Sequence, residues 1–298
     1  MTKPLSGMYV ALLTAMNDQG EFDPERQRRL DAHVLGQGLA GLYVGGSSGE
    51  SGLLESDALL EQQAVVAESA KNHPATLIAH VGMPSLGTSV KLARNAARLG
   101  YHALSALPPH SYPFSDSEIL SYYRELSAAT DLPLIAYEIP IRTGRPLPLD
   151  LLSAILELPR VQGVKFSSTD LFKFSMLRRR HPGKTFYFGF DEIYATGALL
   201  GSDGGIGTTY NVLGKLYVAL HRAIREGDLA TARQLQDISQ RFVELLMETG
   251  VVPGTKLALR IGGIDVGPAR LPMALRCDDA ETKLAAFLSG DAVRPWLA

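Results

Sequence analysis

Eight times along this chain a short apolar run is followed by an amphipathic segment of helical period, and no other feature constrains the fold as strongly. The runs cover residues 9–13, 41–44, 76–79, 103–106, 134–137, 163–165, 185–188 and 204–207. Helix-like segments near 24–37, 55–72, 86–99, 116–129, 149–156, 171–180, 191–200 and 212–225 follow them in turn. Several have readable ends. Asp23-Pro24 puts proline at a first helical position, Ser115 precedes acidic residues, and Arg98-Leu-Gly100 and His73-Pro74 act as stops. Alternating strands and helices imply an α/β chain with a parallel sheet. Eight such units at this length imply a closed (β/α)8 TIM barrel. A doubly wound open sheet is the competing architecture, but the segment after the first run, Leu13-Thr-Ala-Met-Asn-Asp18, has no Gly-x-Gly-x-x-Gly turn.

The strand signal stops after residue 228. Helical segments near 228–248, 255–261 and 278–289 follow, which predicts a barrel over 1–226 and a C-terminal helical extension over 227–298, packed on it. The first run follows Lys3, as in a leader peptide, yet it is short and ends in the turn signal Asn17-Asp-Gln-Gly20, so a first strand is expected. No stretch has the roughly 18–20 apolar residues that span a bilayer. Net charge is −2, and there is no basic stripe interleaved with aromatics, so neither a nucleic acid nor a membrane is expected as partner. The run Arg178-Arg-Arg-His181 sits at an expected helix end, where cations suit the dipole. Cys277, the only cysteine, rules out an intrachain disulfide and a cysteine metal cluster, which fits a cytoplasmic protein.

A barrel of this kind carries its site at the carboxyl ends of its strands, so the residues that follow each run are the candidates. Lys165 closes the stretch Val161-Gln-Gly-Val-Lys165. Burial disfavours a charged ammonium, and a neutral amine attacks carbonyls to form Schiff bases; the competing expectation is a lysine whose head escapes to solvent. Gly45-Gly-Ser-Ser-Gly-Glu50 offers backbone N–H groups and two hydroxyls. Such a loop suits a carboxylate or a phosphate, or serves as a simple turn. Tyr137 is placed to relay protons or to fill the core. Asp191 and Glu192 open a helix and could act only as caps. Gly204-Gly-Ile-Gly-Thr-Thr209 lets a ligand approach backbone.

The order and spacing of Gly45-Gly-Ser-Ser-Gly-Glu50, Tyr137-Glu-Ile-Pro140 and Gly163-Val-Lys165 resemble the pyruvate-dependent class I aldolases, which include N-acetylneuraminate lyase and dihydrodipicolinate synthase. The likeness runs from about residue 5 to residue 262. Gly189-Phe-Asp-Glu192, the stretch Asp203 to Asn211 and Tyr112-Pro-Phe-Ser115 are similar to the lyase branch. The resemblance implies an imine between Lys165 and the keto carbon of pyruvate or another 2-keto acid, with the carboxylate on Ser47, Ser48 and loop N–H groups. It implies proton transfer by Tyr137 and substrate hydroxyls held by Ser167, Gly189, Asp191, Glu192 and Thr208. It implies no metal or organic cofactor, and a homotetramer built as a dimer of dimers. The segment 212–225 offers an apolar face, Val212, Leu213, Leu216 and Leu220, suited to burial by a partner.

Three departures bear on the substrate. The lyase branch usually has asparagine where this chain has Glu138. Arg142 resembles the arginine that engages a substrate acid group in dihydrodipicolinate synthase; otherwise it faces solvent or pairs with Glu138. Ser111 stands where the family usually has the second of two aromatic residues, one of which reaches a neighbouring subunit's site, so the relay is shortened, moved to Tyr112 or taken over by His110. The expected activity is therefore reversible cleavage of N-acetylneuraminate or a related 2-keto-3-deoxy acid. Condensation of pyruvate with aspartate semialdehyde and a silent pyruvate-binding barrel are the competing readings.

Overall fold

In a computed structural model, which describes residues 5–297, the eight apolar runs form eight parallel strands. These are β1 (Gly7–Ala11), β2 (Gly41–Val44), β3 (Thr76–His80), β4 (Ala103–Ala106), β5 (Leu134–Glu138), β6 (Val161–Phe166), β7 (Thr185–Phe188) and β8 (Gly204–Gly207). Each pairs with the next and β8 pairs with β1, closing a TIM barrel with helices between the strands. Lys3 lies outside the described residues. The first strand begins two residues earlier than its apolar run, and the N–H of Leu13 donates to the side chain of Asn211 instead of to a neighbouring strand.

Strand alternation divides the core into two layers. Tyr9, Ala11, Tyr43, Ile78, Ile135 and Tyr187 fill the barrel interior. Met8, Val10, Leu42, Val44, Val164 and Phe166 point outward against the helices. Helix starts follow the sequence signals. Asp23 accepts from the N–H groups of Glu25 and Arg26, and Ser115 forms a capping box with Glu118. The basic run ends the helix Leu171–Arg180, where Arg178 donates to the Leu200 carbonyl and Arg180 pairs with Asp150.

Beyond the helix Tyr210–Glu226 lie the helices Leu229–Thr249, Val251–Ile261 and Ala280–Leu288. The apolar face expected to await a partner is buried inside the chain instead: Val212, Leu213, Leu216 and Leu220 belong to the main core, because the helix Leu229–Thr249 and strand β1 flank their helix. Among the described residues no helix is long and apolar enough to cross a membrane.

Candidate active site

One cavity of about 370 Å³ opens at the carboxyl ends of the strands, and all ten residues singled out from the sequence line it. Lys165 is the inward-facing residue near the end of β6, in register with Tyr137 on β5 and Tyr187 on β7. Only 4% of it is exposed, so its head does not escape to solvent. Its Nζ lies 4.3 Å from the ring centroid of Tyr137 and 4.3 Å from that of Tyr43.

Two hydroxyls beside it are buried without a partner among the described residues: Ser47 Oγ and Ser167 Oγ. Buried polar groups in folded proteins are nearly always satisfied, so two free hydroxyls in a cavity with a lysine mark where a ligand's oxygens belong. Ser48 and Thr208 share a 2.6 Å hydrogen bond that joins the loop after β2 to the loop after β8. Gly189 sits where a side chain cannot: a Cβ there would fall 1.9 Å from Ser167 Oγ and 3.3 Å from Lys165 Cε. Glu50, at the end of the glycine loop, adopts a left-handed φ of 60°. Its buried carboxylate pairs with Lys256 at 2.5 Å and accepts the Arg270 N–H, which ties the loop to the C-terminal helices.

Asp191 does not cap the helical turns it opens, whose starts carry no side-chain cap bond. One carboxylate oxygen accepts the N–H and hydroxyl of Thr209 at 2.9 and 2.7 Å. Burial pushes this carboxyl up to about 6 against the pull of Thr209; Glu192 pushes the same way and Lys165 opposes. The backbone carbonyl of Asp191 accepts from Gln236 and Ser239, and that of Glu192 from Gln240, all on the helix Leu229–Thr249. The same helix lends Val243, Leu246 and Met247 to the cavity wall, and Val251 and Val252 follow from the next. These apolar wall residues carried no chemical signal in the sequence.

Glu138 does not pair with Arg142. Strand alternation turns Glu138 outward, where it is fully buried, bonded to Lys173 Nζ at 2.8 Å and to the N–H of Leu147. Arg142, exposed, lines the cavity mouth beside Ile141. His110 and Tyr112 lie in a separate surface hollow, so neither reaches Lys165 within one chain; Tyr112 is 74% exposed. Sequence reading missed Tyr43, His80 and Ser105, which sit under the lysine. The Tyr43 hydroxyl lies 3.0 Å from both His80 Nδ1 and Ser105 Oγ. Burial, then the charge of Lys165, pushes the His80 imidazole down to about 3, so it stays neutral. Inspecting the last residue of β3, as was done for the other strands, finds His80.

Residues 4–290 match the dihydrodipicolinate synthetase family. The N-acetylneuraminate lyase of Enterobacter sp. (strain 638) is 44% identical over 279 residues, 92% of this chain and 93% of that protein. The structure of CdNal from Clostridium difficile in complex with mannosamine is similar with a TM-score of 0.93 at 30% identity, covering 99% of this chain and 100% of that one. Ruminococcus gnavus sialic acid aldolase gives 0.93 at 27% identity, covering 98% and 99%.

Proposed function

The chain belongs to the dihydrodipicolinate synthetase family, and from that premise we infer that it is a class I aldolase-type carbon–carbon lyase. It reversibly cleaves N-acetylneuraminate, or a related 2-keto-3-deoxy sugar acid, to pyruvate and an aldehyde. The observation that carries this reading is the juxtaposition of buried Lys165, Tyr137 and the unpartnered Ser47 and Ser167 hydroxyls in one cavity.

The neutral amine of Lys165 attacks the keto carbon of the substrate, water leaves, and an iminium forms. Tyr137 gives its phenol proton to the hydroxyl that leaves as water when the iminium forms, and the resulting phenolate then takes the proton of the substrate hydroxyl next to the scissile bond. That bond breaks, its electron pair flows into the iminium to give an enamine, and the aldehyde departs. Protonation of the enamine carbon and hydrolysis release pyruvate and free the lysine. Ser47, Ser48 and the loop backbone hold the carboxylate; Ser167, Gly189, Asp191, Glu192 and Thr208 hold the hydroxyls of the sugar-derived tail. Borohydride reduction in the presence of pyruvate, followed by peptide mapping, is expected to leave a lactyl adduct on Lys165. A folded protein with no adduct would refute the mechanism.

Asp191 gives the reaction a pH signature. Burial pushes its carboxyl up to about 6, and the ionised form is the stronger acceptor for a substrate hydroxyl. Below that point kcat/KM is expected to fall about tenfold per pH unit, and Asp191→Asn should flatten the limb. Stability moves the other way. The folded state binds this proton more tightly than the unfolded chain does, so the group's contribution is present at low pH and lost as pH rises through about 6.

Arg142 supports a second reading, condensation of pyruvate with an aldehyde that bears its own carboxylate, because its guanidinium lines the mouth with no ion pair among the described residues. Arg142→Ala separates the two. As a lyase, the variant should cleave N-acetylneuraminate within about threefold of the parent; a synthase would lose about 10- to 100-fold in condensation with aspartate semialdehyde. The assembly proposed is a cytoplasmic homotetramer, in which the exposed Tyr112 reaches a neighbouring subunit's site.

A further inference from the structure

We propose that Tyr43 is a further catalytic residue, whose ring joins that of Tyr137 in an aromatic notch that keeps the Schiff-base nitrogen of Lys165 protonated. This rests on the reading that Lys165 forms the imine. The two rings stand at 84° with centroids 6.3 Å apart, and Lys165 Nζ lies 4.3 Å from each. An aromatic face attracts a cation at this range, and does so more strongly in a desolvated site. Tyr43 is fully buried, and Lys165 nearly so.

What the nitrogen meets is the ring of Tyr43, because the hydroxyl is engaged elsewhere, by His80 Nδ1 and Ser105 Oγ. The ring is also held by the glycine loop. A Cβ on Gly46 would fall 2.6 Å from Tyr43 Cε1, so the loop proposed to receive the carboxylate packs directly on the ring that faces the nitrogen. His80 packs edge-on to Tyr137 and stays neutral, so it adds no second positive charge beneath the nitrogen.

The chemistry needs that charge. A protonated imine draws the electron pair of the breaking carbon–carbon bond, whereas a neutral imine has no comparable sink. The proton in question stays on nitrogen, and the notch opposes its loss to bulk base. The other titratable or charged groups around Lys165 are Tyr137 on β5, Tyr187 on β7, His80 on β3, Arg142 in the segment after β5, and Asp191 and Glu192 after β7. All remain in the variants below, so their contributions cancel in the comparison.

The test follows the rate of cyanoborohydride trapping with saturating pyruvate as pH rises, since this reagent reduces the iminium and not the neutral imine. Tyr43→Leu is expected to lose trapping about one pH unit earlier than the parent, the tenfold equivalent of one lost cation–π contact. Tyr43→Phe, which keeps the ring face, should retain the parent's profile. Phenylalanines carrying one, two and three fluorines at position 43 keep the shape while weakening the face, and should shift the profile downward stepwise even if Tyr43→Leu does not fold. A profile that ignores fluorination, or that shifts as far in Tyr43→Phe as in Tyr43→Leu, overturns the proposal. Absence of any Lys165 adduct in the parent would instead overturn the imine reading beneath it.

Discussion

Lys165→Ala is expected to fold as a normal barrel and to release no pyruvate, with kcat reduced by at least about 10⁴-fold. The effect is large because the proposed mechanism makes the lysine both nucleophile and electron sink. Without the imine, the bond to be broken has no acceptor for its electrons, and neither the hydroxyls nor Tyr137 can substitute. The cost to folding is small by comparison. Lys165 has no ion pair among the described residues, and its side chain borders the cavity, so truncation enlarges an existing space. A loss of about 1 kcal/mol is the ordinary size for such a change. The measurement is pyruvate release by the purified variant, with circular dichroism and a thermal melt as the folding control. Turnover in a folded Lys165→Ala protein would remove the imine mechanism, and an inactive parent over a broad panel of keto acids would restore the silent-barrel reading.

What could be read from the chain, and what could not, divides along a physical line. The eight strands were legible because fully buried parallel strands are short, apolar and evenly spaced; of the seven strands after the first, four coincide with their runs and three are longer by one to three residues. The lining of the candidate site was legible wherever a polar or charged side chain follows a strand, as with Lys165, Tyr137 and the Ser47-Ser48 pair. It was not legible where the signal depends on which face a strand presents. Tyr43 reads as one more apolar residue of β2 until its inward parity puts it under Lys165. Parity also separates Glu138 from Arg142, four residues on, and sends it to Lys173, which lies 35 residues further along the chain. Val243 and Met247 were invisible for another reason: they belong to the appended helices, whose place over the barrel mouth follows from bonds between side chains and the backbone of Asp191 and Glu192.

Lys173→Met is expected to lower stability by about 3–5 kcal/mol near pH 8, the cost of leaving a buried charge without its partner. Glu138 is fully buried, and Lys173 nearly so, 2.8 Å apart; the lysine also donates to the Leu147 carbonyl while Glu138 accepts the Leu147 N–H. Replacing both, as Glu138→Leu with Lys173→Met, removes the charge together with its partner and should cost much less than the single change. Acidity gives the sign. Burial already holds the Glu138 carboxyl above the ordinary glutamate range, and Lys173 pulls it down. Losing Lys173 raises it further, so the folded variant binds a proton that the unfolded chain does not. The stability deficit should therefore shrink as pH falls through that raised value, and be smaller at pH 5 than at pH 8. Urea unfolding at both pH values measures it; equal deficits, or a double variant as unstable as the single one, would show that the pair is not what holds this region. The consequence reaches the active site. The pair fastens Leu147, and with it the far end of the segment that carries Arg142 over the cavity mouth. A departure that looked like a change in the site, glutamate after Tyr137 in place of asparagine, acts from outside the barrel on the segment that lines the cavity mouth.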